Sequence, residues 1–235
     1  MQELVLDGPG KNALSTAMLT DLMERMDRFE GQSLLLRGEN GALSAGVNLK
    51  EVLAFDHQQM EDFLRLLDAI TRRLFHWPRP TVAVIDGHAI AGGTILALAC
   101  DHRVAQDNPK IRIGLSEVAV GVLFPPGVWD LMKHKLPKQH IDRILLGAQL
   151  HGPQQAQALG MVDEISADAL ASGRATLERL RAYDAAVYAE TKATLHAGVM
   201  EISEADEQTY LDAVVPVWTS PALKARLAAQ LGGKR

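Results

Sequence analysis

The sequence predicts an α/β protein built on a mostly parallel sheet, and three observations carry that prediction. Short apolar runs of strand length, 33–37 (SLLLR), 81–85 (TVAVI) and 102–105 (HRVA), alternate with segments of helical periodicity. Strand signals nearly stop after residue 125, where 138–146, 153–159, 167–183 and 204–215 read as helices. No internal repeat, low-complexity tract or linker rich in Pro, Gly and Ser divides the chain into independent units. The expected organisation is an α/β core over 1–124 followed by a helical C-terminal region over 125–235.

After a short start, Ser15 is placed to cap a helix whose Met18, Leu19, Leu22, Met23 and Met26 recur at helical spacing. The run 33–37 lies between Gly31 and Gly38 and reads as a buried strand, followed by a loop over 38–48. Met60, Phe63, Leu67, Ile70 and Leu74 mark a second amphipathic helix, which Pro78 and Pro80 end because proline cannot continue the hydrogen-bond ladder. Residues 81–85 form the next buried strand, 92–100 a buried helix, and 102–105 a third strand.

At 235 residues, 47% of them hydrophobic and 23% charged, the chain can bury a substantial core. Its formal charge of -5, with no cluster of Lys and Arg interleaved with aromatics, argues against nucleic-acid binding. The one cysteine, Cys100, lies in an apolar run and reads as a small core residue, which fits a reducing compartment. No apolar run reaches the roughly 18 to 20 residues that span a bilayer, and residues 1–6 lack a secretory pattern, so the expectation is a cytoplasmic protein with no membrane partner. The eight histidines show no metal-ligand spacing, and no metal is expected.

Three loops follow strands, and the crevice beyond the C-terminal ends of parallel strands is where such sheets bind ligands. They are Leu43-Ser44-Ala45-Gly46-Val47-Asn48-Leu49-Lys50-Glu51, Gly87-His88-Ala89-Ile90-Ala91-Gly92-Gly93, and Ile113-Gly114-Leu115-Ser116-Glu117-Val118-Ala119-Val120-Gly121. The second opens a helix with glycine, so its backbone N–H groups can face a ligand closely, but its first turn offers no acid, base or nucleophile. The third supplies one carboxylate among apolar neighbours.

On these residues the chain resembles the crotonase superfamily, the enoyl-CoA hydratases and isomerases, over nearly its whole length. The matching features are NAL at 12–14, SAGVNLKE at 44–51, GHAIAGG with ALACDHRVA up to 105, IGLSEVAVGV at 113–122 and ALGMVDEI at 158–165, in the family's order and spacing. The resemblance implies a crotonase spiral of ββα units with a helical C-terminal trimerisation region, acting on an acyl-CoA substrate as a homotrimer or dimer of trimers. It requires no separate cofactor, coenzyme A being part of the substrate. It also assigns the backbone N–H groups of Val47 and Gly92 to an oxyanion hole, and Ala45, Gly46, Val47, Asn48, Leu49 and Gly92 to the coenzyme A and substrate contacts.

In the family's hydratases two glutamates hold and activate a water. The first position matches Ile95 here, and the second matches Glu117. One carboxylate without a partner is poorly suited to positioning water but can shuttle a proton. This pattern, with the stretch AQDNPKIRIGLSEVAVGV at 105–122, is similar to the mitochondrial-type Δ3-Δ2-enoyl-CoA isomerases. It implies Glu117 as the catalytic acid and base in the breakdown of unsaturated acyl groups, and the apolar neighbours of Glu117 are expected to disfavour its ionised form. The alternatives are another enolate-based reaction, namely thioester hydrolysis, decarboxylation or weak hydration, and a non-catalytic acyl-CoA-binding subunit.

Ile95, Phe124 and Trp129 are candidates for the acyl pocket, and the resemblance makes Lys224 a candidate for contact with a neighbouring subunit's coenzyme A phosphate. His88 reads as a supporting residue, and Asp101 with Arg103 as a structural charge arrangement. The chain departs from the family in three places: Leu123-Phe124-Pro125-Pro126-Gly127-Val128-Trp129 replaces a glycine-rich turn, Asn48 stands where relatives carry aspartate, and the short N-terminus suggests a trimmed opening hairpin.

Overall fold

The computed structural model describes residues 1–232. In chain order its strands are β1 (Gln2–Leu6), β2 (Leu34–Gly38), β3 (Ala42–Ser44), β4 (Thr81–Ile85), β5 (His88–Ile90), β6 (His102–Gln106), β7 (Ile113–Gly114) and β8 (Glu164–Ser166). They form a five-stranded sheet in the order β1-β2-β4-β6-β8 and a three-stranded sheet in the order β3-β5-β7. Every pairing in both is parallel. The chain visits the large sheet, crosses to the small one and returns through helix, so β2–β3, β4–β5 and β6–β7 are successive turns of one ββα spiral.

The central strands β2 and β4 are buried on both faces, which explains why they read as apolar runs instead of alternating ones. Leu35, Val82, Val84 and Val104 pack with Ala169 and Leu177 of helix Ala169–Arg181. Gly173 brings that helix close: a Cβ there would fall 2.5 Å from Val84 Cγ2. Leu34, Leu36, Ala83, Ile85 and Ala105 face the main core. That core includes helices Thr16–Arg28 and His57–Phe75, and the fully buried helix Gly92–Ala99 at its centre.

Several expectations are corrected. β1 makes the N-terminal segment an edge strand of the large sheet, in register from Gln2 opposite Leu34 to Leu6 opposite Gly38. The stretches read as loops contain β3, β5 and β7, too short to show a period. Helix Pro126–Lys135, outside the expected set, begins on the Pro125-Pro126-Gly127 run, because proline is tolerated in a helix's first turn where its missing N–H would have no partner. Helix Ala185–His196 also lies outside the expected set, and β8, from the helical half of the chain, adds to the large sheet beside β6.

The first site loop is fixed by a left-handed turn. Gly10, Lys11 and Asn12 have φ of 68°, 59° and 57°, and the turn buries the Asn12 side chain completely. Its Nδ2 donates to the carbonyls of Glu39 (2.8 Å) and Ala42 (2.7 Å), and its Oδ1 accepts from Gly8 N (3.0 Å). The Asn12 carbonyl accepts from Ser44 Oγ (2.7 Å), which in turn accepts from Gly46 N (3.1 Å). Asn12→Ala removes the side-chain bonds to one buried and two part-buried backbone groups and is expected to cost roughly 1–3 kcal/mol, measured by chemical denaturation; an unchanged midpoint would show that the clamp is dispensable.

Candidate active site

The loop after β3 and the start of helix Gly92–Ala99 bring two unused backbone donors together. Gly46, at φ +86°, turns the chain so that its carbonyl accepts from Leu14 N (2.8 Å), while Asn48 N donates to Leu14 O (2.9 Å). Val47 lies between these two bonds, and its own N–H points away from Leu14. A Cβ built on Gly46 would lie 3.6 Å from Gly92 N, and one built on Gly92 3.9 Å from Val47 N, so the two amide nitrogens are neighbours. Neither donates to a protein acceptor among the described residues, and buried donors of this kind demand a partner.

The second donor is held by backbone strain. Ala91, the N-cap of helix Gly92–Ala99, has φ 50° and ψ −117°, a conformation that an L residue adopts at a cost of about 1–3 kcal/mol. It is over-determined by its surroundings. Ala91 N donates to Gly114 O (2.8 Å), its carbonyl accepts from Ile95 N (3.0 Å), and Thr94 Oγ1 ties Ala89 O (2.7 Å) to β7. The result aims the positive end of the helix dipole, carried by Gly92 N, into the cavity. A Cβ on Gly93 would fall 2.5 Å from Ser44 O, a helix-to-strand packing contact, and one on Gly92, which lines the cavity, would fall 2.8 Å from Leu14 Cδ1.

That space is a cavity of about 170 Å³. Ala45, Val47 and Leu49 line it from the first loop, Ala91, Gly92 and Ile95 from the second, and Ser116, Glu117 and Val120 from the third. Glu117 is the only ionisable residue on its wall among the described residues. Its side chain is 8% exposed, and Oε2 has no hydrogen-bond partner. Burial pushes its carboxyl up to about 7, an effect the backbone N–H groups of Glu117 and Ser116 only partly offset. Position 95 places an aliphatic side chain, 3% exposed, on the same wall.

Other candidates fall in two groups. Phe124 lines the cavity, but Trp129 does not: it packs behind Phe124, edge to face at 5.1 Å between ring centres, so its place in the acyl pocket is corrected. Gly46 and Asn48 also stand off the wall; Gly46 supplies the turn, and Asn48 caps helix Leu49–Ala54 by accepting from Lys50 N (3.2 Å). Lys224 Nζ donates to its own chain's Phe55 O (2.8 Å). His88 Nδ1 accepts from Arg112 N (3.1 Å), joining the second loop to the third.

Asp101 pairs with buried Lys192 at 2.7 Å and accepts from Tyr188 Oη, and Arg103 pairs with Asp163 at 2.7 Å, so both acidic pairs serve the scaffold. Cys100 is fully buried. Sequence reasoning missed Leu64, Leu67, Trp218 and Leu227, which also line the cavity. Of these, Leu67 falls in the apolar stripe read from the sequence, but nothing local says that it faces a hollow part of the core.

Comparison with known proteins supports the same reading of the fold. The family model for enoyl-CoA hydratase/isomerase matches residues 2–222. The mouse mitochondrial enoyl-CoA delta isomerase 1 is 31% identical over 165 residues, 68% of this chain, and the match spans 57% of that protein's length. Human mitochondrial delta3-delta2-enoyl-CoA isomerase superposes with a TM-score of 0.91 at 22% identity, covering 98% of this chain and 93% of that one. An enoyl-CoA hydratase from Bacillus halodurans superposes at 0.84 with 23% identity, covering 97% and 95%. No helix among the described residues is long and apolar enough to cross a membrane. The chain belongs to the enoyl-CoA hydratase/isomerase family, within the crotonase superfamily.

Proposed function

We propose that the protein shifts the double bond of a 3-enoyl-CoA to give the 2-trans-enoyl-CoA, with Glu117 as the one proton carrier. The observation behind it is the solitary carboxyl on a mostly apolar wall beside two amides without a partner among the described residues. In this reading the thioester oxygen accepts from Val47 N and Gly92 N. The Glu117 carboxylate takes a proton from C2, the electron pair delocalises through the C3–C4 double bond, and the negative charge on the thioester oxygen is held by the two amides. The protonated Glu117 then returns the proton at C4, leaving the double bond between C2 and C3.

Two physical effects favour this chemistry. The amides bond most strongly to the developing oxyanion, so they lower the barrier instead of merely tightening substrate binding. A carboxyl titrating near 7 is a stronger base than an exposed glutamate, yet is still ionised in part at neutral pH. Hydration would need a second group to hold and activate water, and Ile95 offers none. The similarity to a mouse protein named as an enoyl-CoA delta isomerase points the same way.

Glu117→Gln is expected to lower turnover of 3-enoyl-CoA esters by about 10³-fold while acyl-CoA binding, measured by calorimetry, survives; unchanged turnover would remove Glu117 from the reaction. For the wild type, kcat/KM is expected to fall on the acid side with an apparent pKa near 7, because the base must be ionised. A flat profile down to pH 5 would contradict this.

The same shift has a stability consequence. The folded protein holds the Glu117 proton more tightly than the unfolded chain does, so the Glu117 contribution weakens as pH rises from 4.5 to about 7 and is constant above. Glu117→Gln lacks this penalty, and its stability relative to wild type is expected to grow across that window toward about 3 kcal/mol. Equal pH dependence of the two unfolding midpoints would show that the carboxyl is not perturbed.

A further inference from the structure

The cavity wall has a burial gradient that distinguishes a mouth from a closed end. Val47, Leu49, Ser116 and Val120 are half-buried and Leu123 is 50% exposed, so this side opens to solvent. Leu64, Leu67, Phe124, Trp218 and Leu227 are at most 5% exposed and close the other side. Two of these come from consecutive helices at the end of the chain: Trp218 ends helix Glu204–Trp218, and Leu227 sits in helix Pro221–Gly232.

The second closing helix, Pro221–Gly232, is tied to the mouth of the cavity by two side chains. Lys224 Nζ donates to Phe55 O (2.8 Å), the C-cap of helix Leu49–Ala54, and Arg226 Nη1 donates to Val120 O (3.2 Å), at the C-terminal end of helix Glu117–Val120. Both cations meet the negative ends of short helices that also border the mouth. Gly121, at φ +84°, leaves room for this contact, since a Cβ there would overlap the Arg226 guanidinium.

We propose that Trp218 and Leu227 form an end stop that limits the substrate to acyl groups of about six carbons; this rests on the acyl-CoA reading above. A cavity on the order of 150 Å³ lined by apolar side chains accommodates a benzene-sized ligand of roughly six carbons, and this one measures about 170 Å³. The thioester carbon at the two amides, followed by about five further carbons, fills it. A longer chain has to displace an indole and a leucine that are packed in the core on their far side.

The test is calorimetric titration of saturated acyl-CoA esters from butanoyl to dodecanoyl, which reports binding without turnover. For the wild type, affinity is expected to rise by about fourfold per added methylene up to hexanoyl and then to stop rising or fall. Trp218→Ala, and independently Leu227→Ala as the milder change, are expected to move that break to chains longer by two or more carbons. Wild type binding dodecanoyl-CoA more tightly than hexanoyl-CoA would overturn the end stop, as would a break unmoved in both variants. A shifted break without isomerisation of any 3-enoyl-CoA would sink the proposed reaction and leave the end stop standing. Failure of every ester to bind would overturn both.

Discussion

A carboxyl group kept from water beside two backbone amides that have no protein partner among the described residues is the constraint on which this structure depends. Each half of that arrangement is unfavourable alone. Burying Glu117 among Ile95, Val122 and Phe124 disfavours its charge, and leaving Val47 N and Gly92 N without acceptors forfeits hydrogen bonds that a folded chain normally makes. In the proposed reaction they become useful together, because an enolate between them needs a proton taken and a negative charge held.

The fold serves this by setting rigid elements around three loops. The spiral delivers β3, β5 and β7 side by side, so the loops following them emerge on one side of the small sheet. The Asn12 clamp and the Ser44 hydroxyl hold the first loop, the strained Ala91 peptide and Thr94 hold the second, and the left-handed Gly121 ends the short helix that carries Glu117. The conformational cost of these positions is met by the large core beneath them, where the central helix Gly92–Ala99 is buried throughout. The C-terminal helices then close the chamber, so the last part of the chain shapes the site as much as the spiral does.

Much of this was legible in the residues. The Ser15 cap, the end of helix His57–Phe75 before Pro78 and the strands 81–85 and 102–105 follow from local patterns, and the structure bears out these elements; Glu117 is singled out by the family resemblance. What escaped has physical reasons. β7 has two residues and β5 three, fewer than one can test for alternation. Helix Ala185–His196 keeps Val187 and Leu195 exposed, so it has no single apolar stripe. Phe124 and Trp129 are neighbours in sequence and in space, but only one faces the cavity, which depends on how helix Pro126–Lys135 is set. The clamp by Asn12 joins residues far apart in the chain, beyond the reach of any local pattern.

The most direct measurement of the central claim is a crystal structure of the protein with a bound, non-reacting 3-thia-acyl-CoA analogue. The account predicts the thioester oxygen within hydrogen-bond distance of both Val47 N and Gly92 N, with C2 facing a Glu117 carboxylate oxygen and no other ionisable side chain in reach. A thioester oxygen bonded elsewhere, or a C2 facing a different acid or base, would contradict it.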